Sequence, residues 1–258
     1  MSSSRRFSEL RAPAIGDVVT PGSILVVPLG AVEQHGPHLP MSTDLVVAEA
    51  AATAVVEAVG DEVDAWLLPA LPYTKSNEHA WSAGTIWLSA STMMAVIEDI
   101  GRSLATTAAR KIVFVNGHGG NSALMAMMNR ELRLKFGLQT FLAHPHMPAD
   151  QGGSSAASEL GMGIHGGMDE TSVMLHLRPD LVDMSRAVRR VPEQLADNDH
   201  VRFGGKVAFG WMSNDFHPDG HIGDPTGATA EIGAAMFGSA VAGLCDAMRE
   251  ISRFDFGR

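Results

Sequence analysis

Unbroken apolar runs and helix-spaced apolar positions alternate along this chain. Ser23–Leu29 (SILVVPL) lacks polar alternation and reads as a strand buried on both faces. Asp44–Val59 carries alanine and other apolar residues all round, which predicts a buried helix with Asp44 near its N-terminus. Ala65–Leu71 reads as a second short strand closed by Pro72. Thr85–Leu88 reads as a brief strand, with Ser91 as the cap of a helix reaching about Arg110. Lys111–Asn116 (KIVFVN) is the clearest strand of all. Asn121–Phe136 is helical, Gly137 suits its C′ position, and Met125, Met127 and Met128 read as core filling. Leu138–His144 predicts a further strand, Gln151–Gly163 a small polar loop or lid, and Met168–Leu177 a helix stopping near Pro179. Val201–Thr226 is Gly-rich and irregular, and Thr229–Arg253 is the closing helix.

Strands separated by helices argue for an α/β fold, a mostly parallel sheet with helices on both faces. No internal repeat or confident linker divides the 258 residues, so one domain spanning 1–258 is expected. With 45% hydrophobic and 19% charged residues, the composition is that of a globular chain. Net charge is −10, and basic residues cluster only in pairs such as Arg5-Arg6 and Arg189-Arg190, which argues against a nucleic-acid partner. The single cysteine, Cys245, excludes an intramolecular disulfide and fits a cytoplasmic setting. The polar start, Met1–Arg11, lacks the apolar region of a signal peptide, and no apolar run is read as membrane-spanning.

Candidate chemistry gathers where the predicted strands end, as it does in open α/β sheets. After the first strand comes Glu33-Gln34-His35-Gly36-Pro37-His38-Leu39-Pro40-Met41-Ser42-Thr43-Asp44, with Glu, His and Asp, the residue types that hold Zn²⁺, Mn²⁺ or Fe²⁺. After KIVFVN comes Asn116-Gly117-His118-Gly119-Gly120-Asn121, a glycine turn into a helix that Asn121 can cap, whose first amides could hold an anion. His165-Gly166-Gly167-Met168-Asp169-Glu170-Thr171-Ser172 and Gly223-Asp224-Pro225-Thr226 are two further loops entering helices. Glu78 and His79 read either as substrate contacts or as a solvated loop, and His144 and His146 as pocket residues. Trp81 and Trp87 read as core, and Trp211, in the Gly-rich segment, as core or a substrate platform.

Taken together, these segments resemble the creatininase family of metal-dependent amidohydrolases, over residues 28 to about 230. The resemblance implies a three-layer α/β sandwich with a mostly parallel central sheet. It also implies two divalent ions per chain (Zn, Mn or Fe) and a homo-oligomer, with hexamers expected. By motif, Glu33 and His118 would hold one ion, His35 the other, and Asp44 both; His38 would support them. In creatininase itself a glutamate follows the Asn-Gly-His histidine by two residues and binds the second ion. This chain has Gly120 there, and Glu170 is the candidate replacement. Gly119, Gly120, Asn121, Glu78, His79 and Trp211 are candidate substrate contacts.

The expected reaction is cleavage of a C–N bond (amide, lactam or formamide) in a small molecule by a dimetal-activated water. His165 matches the family's acid/base histidine and would protonate the leaving nitrogen. The glycine-rich Asn116–Asn121 turn resembles the deformylase and mycofactocin-type branches more than creatininase proper. The competing reading is a non-catalytic module binding a phosphate on the glycine turn. It lacks both a Gly-x-Gly-x-x-Gly fingerprint and a Walker lysine. A serine hydrolase would need a Gly-x-Ser-x-Gly elbow, which the chain does not have.

Overall fold

A computed structural model describes residues 4–256, so the extreme ends of the 1–258 span lie outside the described residues. Four strands form one parallel sheet: β1 (Ile24–Leu29), β2 (Ala65–Leu67), β3 (Lys111–Asn116) and β4 (Gln139–Ala143), in the order β2-β1-β3-β4. Every residue of β1 and β3 is buried, as unbroken apolar runs require when helices cover both faces. Helices α3 (Ala90–Leu104) and α4 (Ser122–Phe136) bury Met93, Ile97, Met125 and Leu132 with Leu25 and Phe114 on one face. On the other face α2 (Thr43–Val63) and α6 (Ala230–Arg253) bury Val55, Val59 and Leu244 with Val26 and Val113. Helix α5 (Met168–Leu177) packs on α6 and α2. The result is the expected three-layer arrangement.

Register positions the site. Leu29 pairs with Asn116, so the two central strands end level and release their loops side by side. Close packing then forces glycine at Gly30 and Gly117, because a Cβ at either would strike the backbone at the start of α2, 2.4 Å from Leu45 Cα and 2.5 Å from Asp44 O.

Several elements differ from the sequence pattern. The cap of α3 is Ser89, whose hydroxyl accepts from Thr92 N at 3.2 Å; Ser91 lies inside the helix, and the helix ends at Leu104. β2 stops at Leu67 because Pro69 and Pro72 withhold ladder donors, although Leu71 still bridges to Leu29. Thr85–Leu88 reduces to one antiparallel bridge, Val32 to Ile86. A short helix α1 (Ala12–Val18) has a sequence signal that Pro13 and Gly16 obscure. On α4, Met125 and Met128 face the core and Met127 is exposed, as the 3.6-residue period dictates. Trp81 and Trp87 are also exposed, because both sit in loops beyond the sheet edge. By length and composition α6 is apolar enough to cross a bilayer, contrary to the expectation of no such run; here its inner face, Leu244, Cys245 and Met248, covers the sheet.

Candidate metal centre

Asp44 stands in the first turn of α2, aimed at the ends of β1 and β3. Its two oxygens face two imidazoles: Oδ1 lies 3.0 Å from His35 Nε2, and Oδ2 lies 3.1 Å from His118 Nδ1. Main-chain carbonyls fix the hydrogens of both rings, since a carbonyl can only accept. His35 Nδ1–H donates to Glu33 O at 3.2 Å, and His118 Nε2–H donates to Lys75 O at 2.9 Å. In its neutral form each ring therefore turns a lone pair toward an Asp44 oxygen. Two lone pairs against two anionic oxygens repel unless a positive charge sits between them.

Glu33 is fully buried in the same cluster. Its Oε2 accepts from the Ser76 hydroxyl and lies 3.3 Å from His118 Nε2. Its Oε1 faces His79 Nε2 at 3.3 Å, His165 Nδ1 at 3.7 Å and His35 Nε2 at 4.0 Å. Glu33 Oε1 and Asp44 Oδ2 are buried without a hydrogen-bond partner. Native interiors rarely leave such atoms unmatched, because the desolvation cost is large. Orphaned carboxylate oxygens opposed by ring nitrogens make a donor set that fits divalent cations. Three sets bring one ligand atom per residue within 4.8 Å of one another: Glu33 with His79 and His165, His35 with His165 and Glu170, and Glu33 with His35 and Asp44.

Protonation follows the same geometry. Burial works against charge on His35, but Asp44, Glu170 and Glu33 outweigh it and lift the imidazole to about 10. Burial is likewise overcome at His118, raised to about 10 by Glu33 and Asp44. Glu33 is pushed up to about 8 by burial, against the pull of His118. At Asp44 burial loses to His35 and His118, and the carboxyl is held below its usual range. His165 and His79 are driven well below the usual imidazole value, first by burial and then by the neighbouring histidines.

Gln34, between two of the predicted ligands, organises the second layer and carries no sequence signal of its own. Its amide donates to His79 Nδ1 at 2.8 Å and to Gly220 O at 2.9 Å, and its Oε1 accepts from Gly36 N at 2.9 Å. Its main-chain oxygen accepts from His165 Nε2–H at 2.7 Å, which leaves the His165 Nδ1 lone pair facing Glu33. The rings of His165 and His35 lie 4.2 Å apart.

Of the other predicted residues, Glu170 joins the His35 side, its Oε2 3.9 Å from His35 Nε2 and accepting from Gly166 N at 2.6 Å. Glu78 and His79 are buried in the centre, not in a solvated loop. His118 meets both Asp44 and Glu33, the two residues that the motif has share its ion, through opposite ring nitrogens. Gly119, Gly120 and Trp211 line the adjoining cavity of about 760 Å³; Asn121 does not. Nor does Asn121 cap α4: its Oδ1 accepts from Lys75 N and its Nδ2 donates to Asn116 Oδ1, so it pins the glycine turn. His38 stands behind the ligand loop, 3.0 Å from Thr171 Oγ1.

The stretch expected as a loop or lid is a loop, and it is tied down. Buried Glu159, which the pattern does not reveal, accepts from the main-chain N–H groups of Met168 and Asp224 at 2.9 Å each. It also explains three glycines, since a Cβ at Gly163, Gly167 or Gly223 would fall within 1.9, 2.3 or 2.8 Å of its carboxylate.

The creatininase model, described as creatinine amidohydrolase, matches residues 8–248. The chain belongs to the creatininase family. It is 35% identical over 245 residues to the mycofactocin precursor peptide peptidase of Mycobacterium ulcerans, covering 90% of each chain. It is 32% identical over 244 residues to the creatinine amidohydrolase of Pseudomonas putida, covering 88% of this chain and 89% of that one. Solved creatininase structures, one of a zinc–zinc form and one with manganese, match at 29% identity over 98% of this chain and 100% of theirs, with TM-scores of 0.74 and 0.75. These relatives are peptidases and amidohydrolases, enzymes of C–N bond hydrolysis, which disfavours the phosphate-binding alternative.

Proposed function

We propose that this creatininase-family chain is a dinuclear metal-dependent amidohydrolase. The carrying observation is that the two Asp44 oxygens face the ring nitrogens of two different histidines while Glu33 Oε1 and Asp44 Oδ2 are buried and unmatched. Glu33, His35, Asp44, His118 and Glu170 would hold the two cations. Such cations, when bound, supply Lewis acidity and bring a water's pKa down to about 7.

The chain's own groups would handle orientation and protons. Asp44 keeps the negative charge that a cation pair needs, and Glu33, His35 and His118 would give up their protons to become donors. His165 Nδ1, held toward the site by the Gln34 carbonyl, is the atom that would take a proton from the attacking water and then deliver it to the leaving nitrogen. Its buried setting makes the protonated ring a ready acid. Without that proton an amide nitrogen would have to leave as an amine anion.

The cavity bears on substrate class. One wall is the charged centre; the other carries Leu142, Ile164, Val173, Phe209 and Trp211. A volume of about 760 Å³ suits a molecule larger than a single small lactam ring. With a mycofactocin precursor peptide peptidase among the relatives, we favour a peptide-type amide flanked by apolar groups, over creatinine. A panel of peptides, formamides and lactams against Zn²⁺-, Mn²⁺- and Fe²⁺-loaded protein tests this. Turnover of extended amides with metal, and none after chelation, is expected. Equal activity with and without metal would reject it.

A further inference from the structure

Gly120 leaves a gap that another residue fills. A Cβ built at Gly120 would lie 1.8 Å from Glu78 Oε1 and 2.5 Å from His118 Nε2. No real Cβ contact is so short, so the Glu78 carboxylate occupies the volume into which any side chain at 120 would have to grow. The carboxylate is firmly placed. Glu78 is buried within the turn Asn77–His79, and its Oε2 takes a 2.9 Å ion pair from Lys75 Nζ. That pairing leaves Oε1 to face His118 Nε2 at 3.5 Å, beside the Lys75 carbonyl at 2.9 Å.

His118 is thus held from behind. Nδ1 faces Asp44, and on the opposite side Nε2–H donates to the Lys75 carbonyl, with Glu33 Oε2 at 3.3 Å and Glu78 Oε1 at 3.5 Å beside it. The Lys75 carbonyl already sets the tautomer, and a carboxylate beside the outer nitrogen of a ligating imidazole makes it a stronger donor. We propose that Glu78 is a positioning residue for the metal centre: it takes the space vacated at Gly120 and strengthens cation binding by acting through His118. This rests on the dimetal reading above. It puts a carboxylate from the turn Asn77–His79 into the space vacated at position 120 and leaves Glu170 as the candidate ligand on the His35 side.

Zn²⁺ titration of the metal-free full chain, read by chelator competition, tests the pair. Glu78→Gln keeps the shape and removes the charge. Its Zn²⁺ affinity on one of two sites should fall by about 10–100-fold, with the melting temperature of the metal-free protein unchanged. Glu78→Asp should recover part of that loss. The exchange Glu78→Ala with Gly120→Glu should bind Zn²⁺ more tightly than Glu78→Ala alone. Wild type binding two Zn²⁺ with Glu78→Gln binding equally tightly would overturn this assignment and leave the dimetal reading intact. Wild type binding no Zn²⁺ would overturn both.

Discussion

The candidate-ligand loops after β1 and β3 and the segment from 201 to 222 border one cavity, yet different forces order them. The loops inherit their positions from the sheet: Leu29 and Asn116 end in register, and glycines at 30 and 117 let α2 press against both. The 201–222 segment has no strand and only the short turn Ser213–Asp215. It is held by aromatic packing, Phe203 against Phe209, Trp211 and Phe216 at ring separations of 5.3–5.4 Å. The first region therefore holds charge at fixed distances, where small displacements are costly. The second offers apolar area, where shape can change more cheaply. On the proposed function, chemistry would belong to the strand ends and substrate preference to the aromatic wall.

Substitutions on the two walls should separate those roles. The largest effect is expected from Asp44→Ala, which removes both oxygens that face His35 and His118. Turnover should vanish and bound metal, measured by elemental analysis, should drop to about one ion or fewer per chain. His165→Ala should retain both ions and lose about 10²–10⁴-fold in kcat, the usual size of an acid–base contribution. Glu170→Ala should weaken metal retention on dialysis while leaving the fold unchanged; two tightly held ions in that variant would place the missing ligand elsewhere.

The pH response sharpens the contrast further. His35 and His118, held near 10, and Glu33, held near 8, bind protons more tightly in the folded protein than in the unfolded chain. Their contribution to stability is present at neutral pH and declines as pH rises toward 10. The metal-free protein should therefore melt at progressively lower temperature from pH 7 to 10. Zn²⁺ binding at pH 7 should release protons, seen by calorimetry in buffers of different ionisation enthalpy. The smallest effect is expected on the aromatic wall. Trp211→Ala should raise KM by about tenfold, roughly 1.4 kcal/mol of lost apolar contact, with kcat little changed.

The sheet was legible because its strands are written as local runs: ILVVPL and KIVFVN admit no other burial pattern. The ligand loops were legible for a related reason, since glycine, histidine and carboxylate recur at each strand end. What could not be read were partnerships across long separations. Glu78 lies 42 positions from Gly120, and only the fold reveals that one occupies the other's space. Gln34 looks like a spacer between two candidate ligands until His79, His165 and Gly220 converge on it. Glu159 sits in a small polar stretch with no pattern, although it closes three glycine-lined approaches. Such residues act through contacts that no local period encodes.

A crystal of metal-reconstituted protein, with diffraction collected on both sides of the zinc absorption edge, would show whether a cation pair sits at Asp44. Two anomalous peaks are expected, one beside each oxygen of Asp44, toward His35 and toward His118. Peaks elsewhere, or none in fully reconstituted protein, would contradict the account.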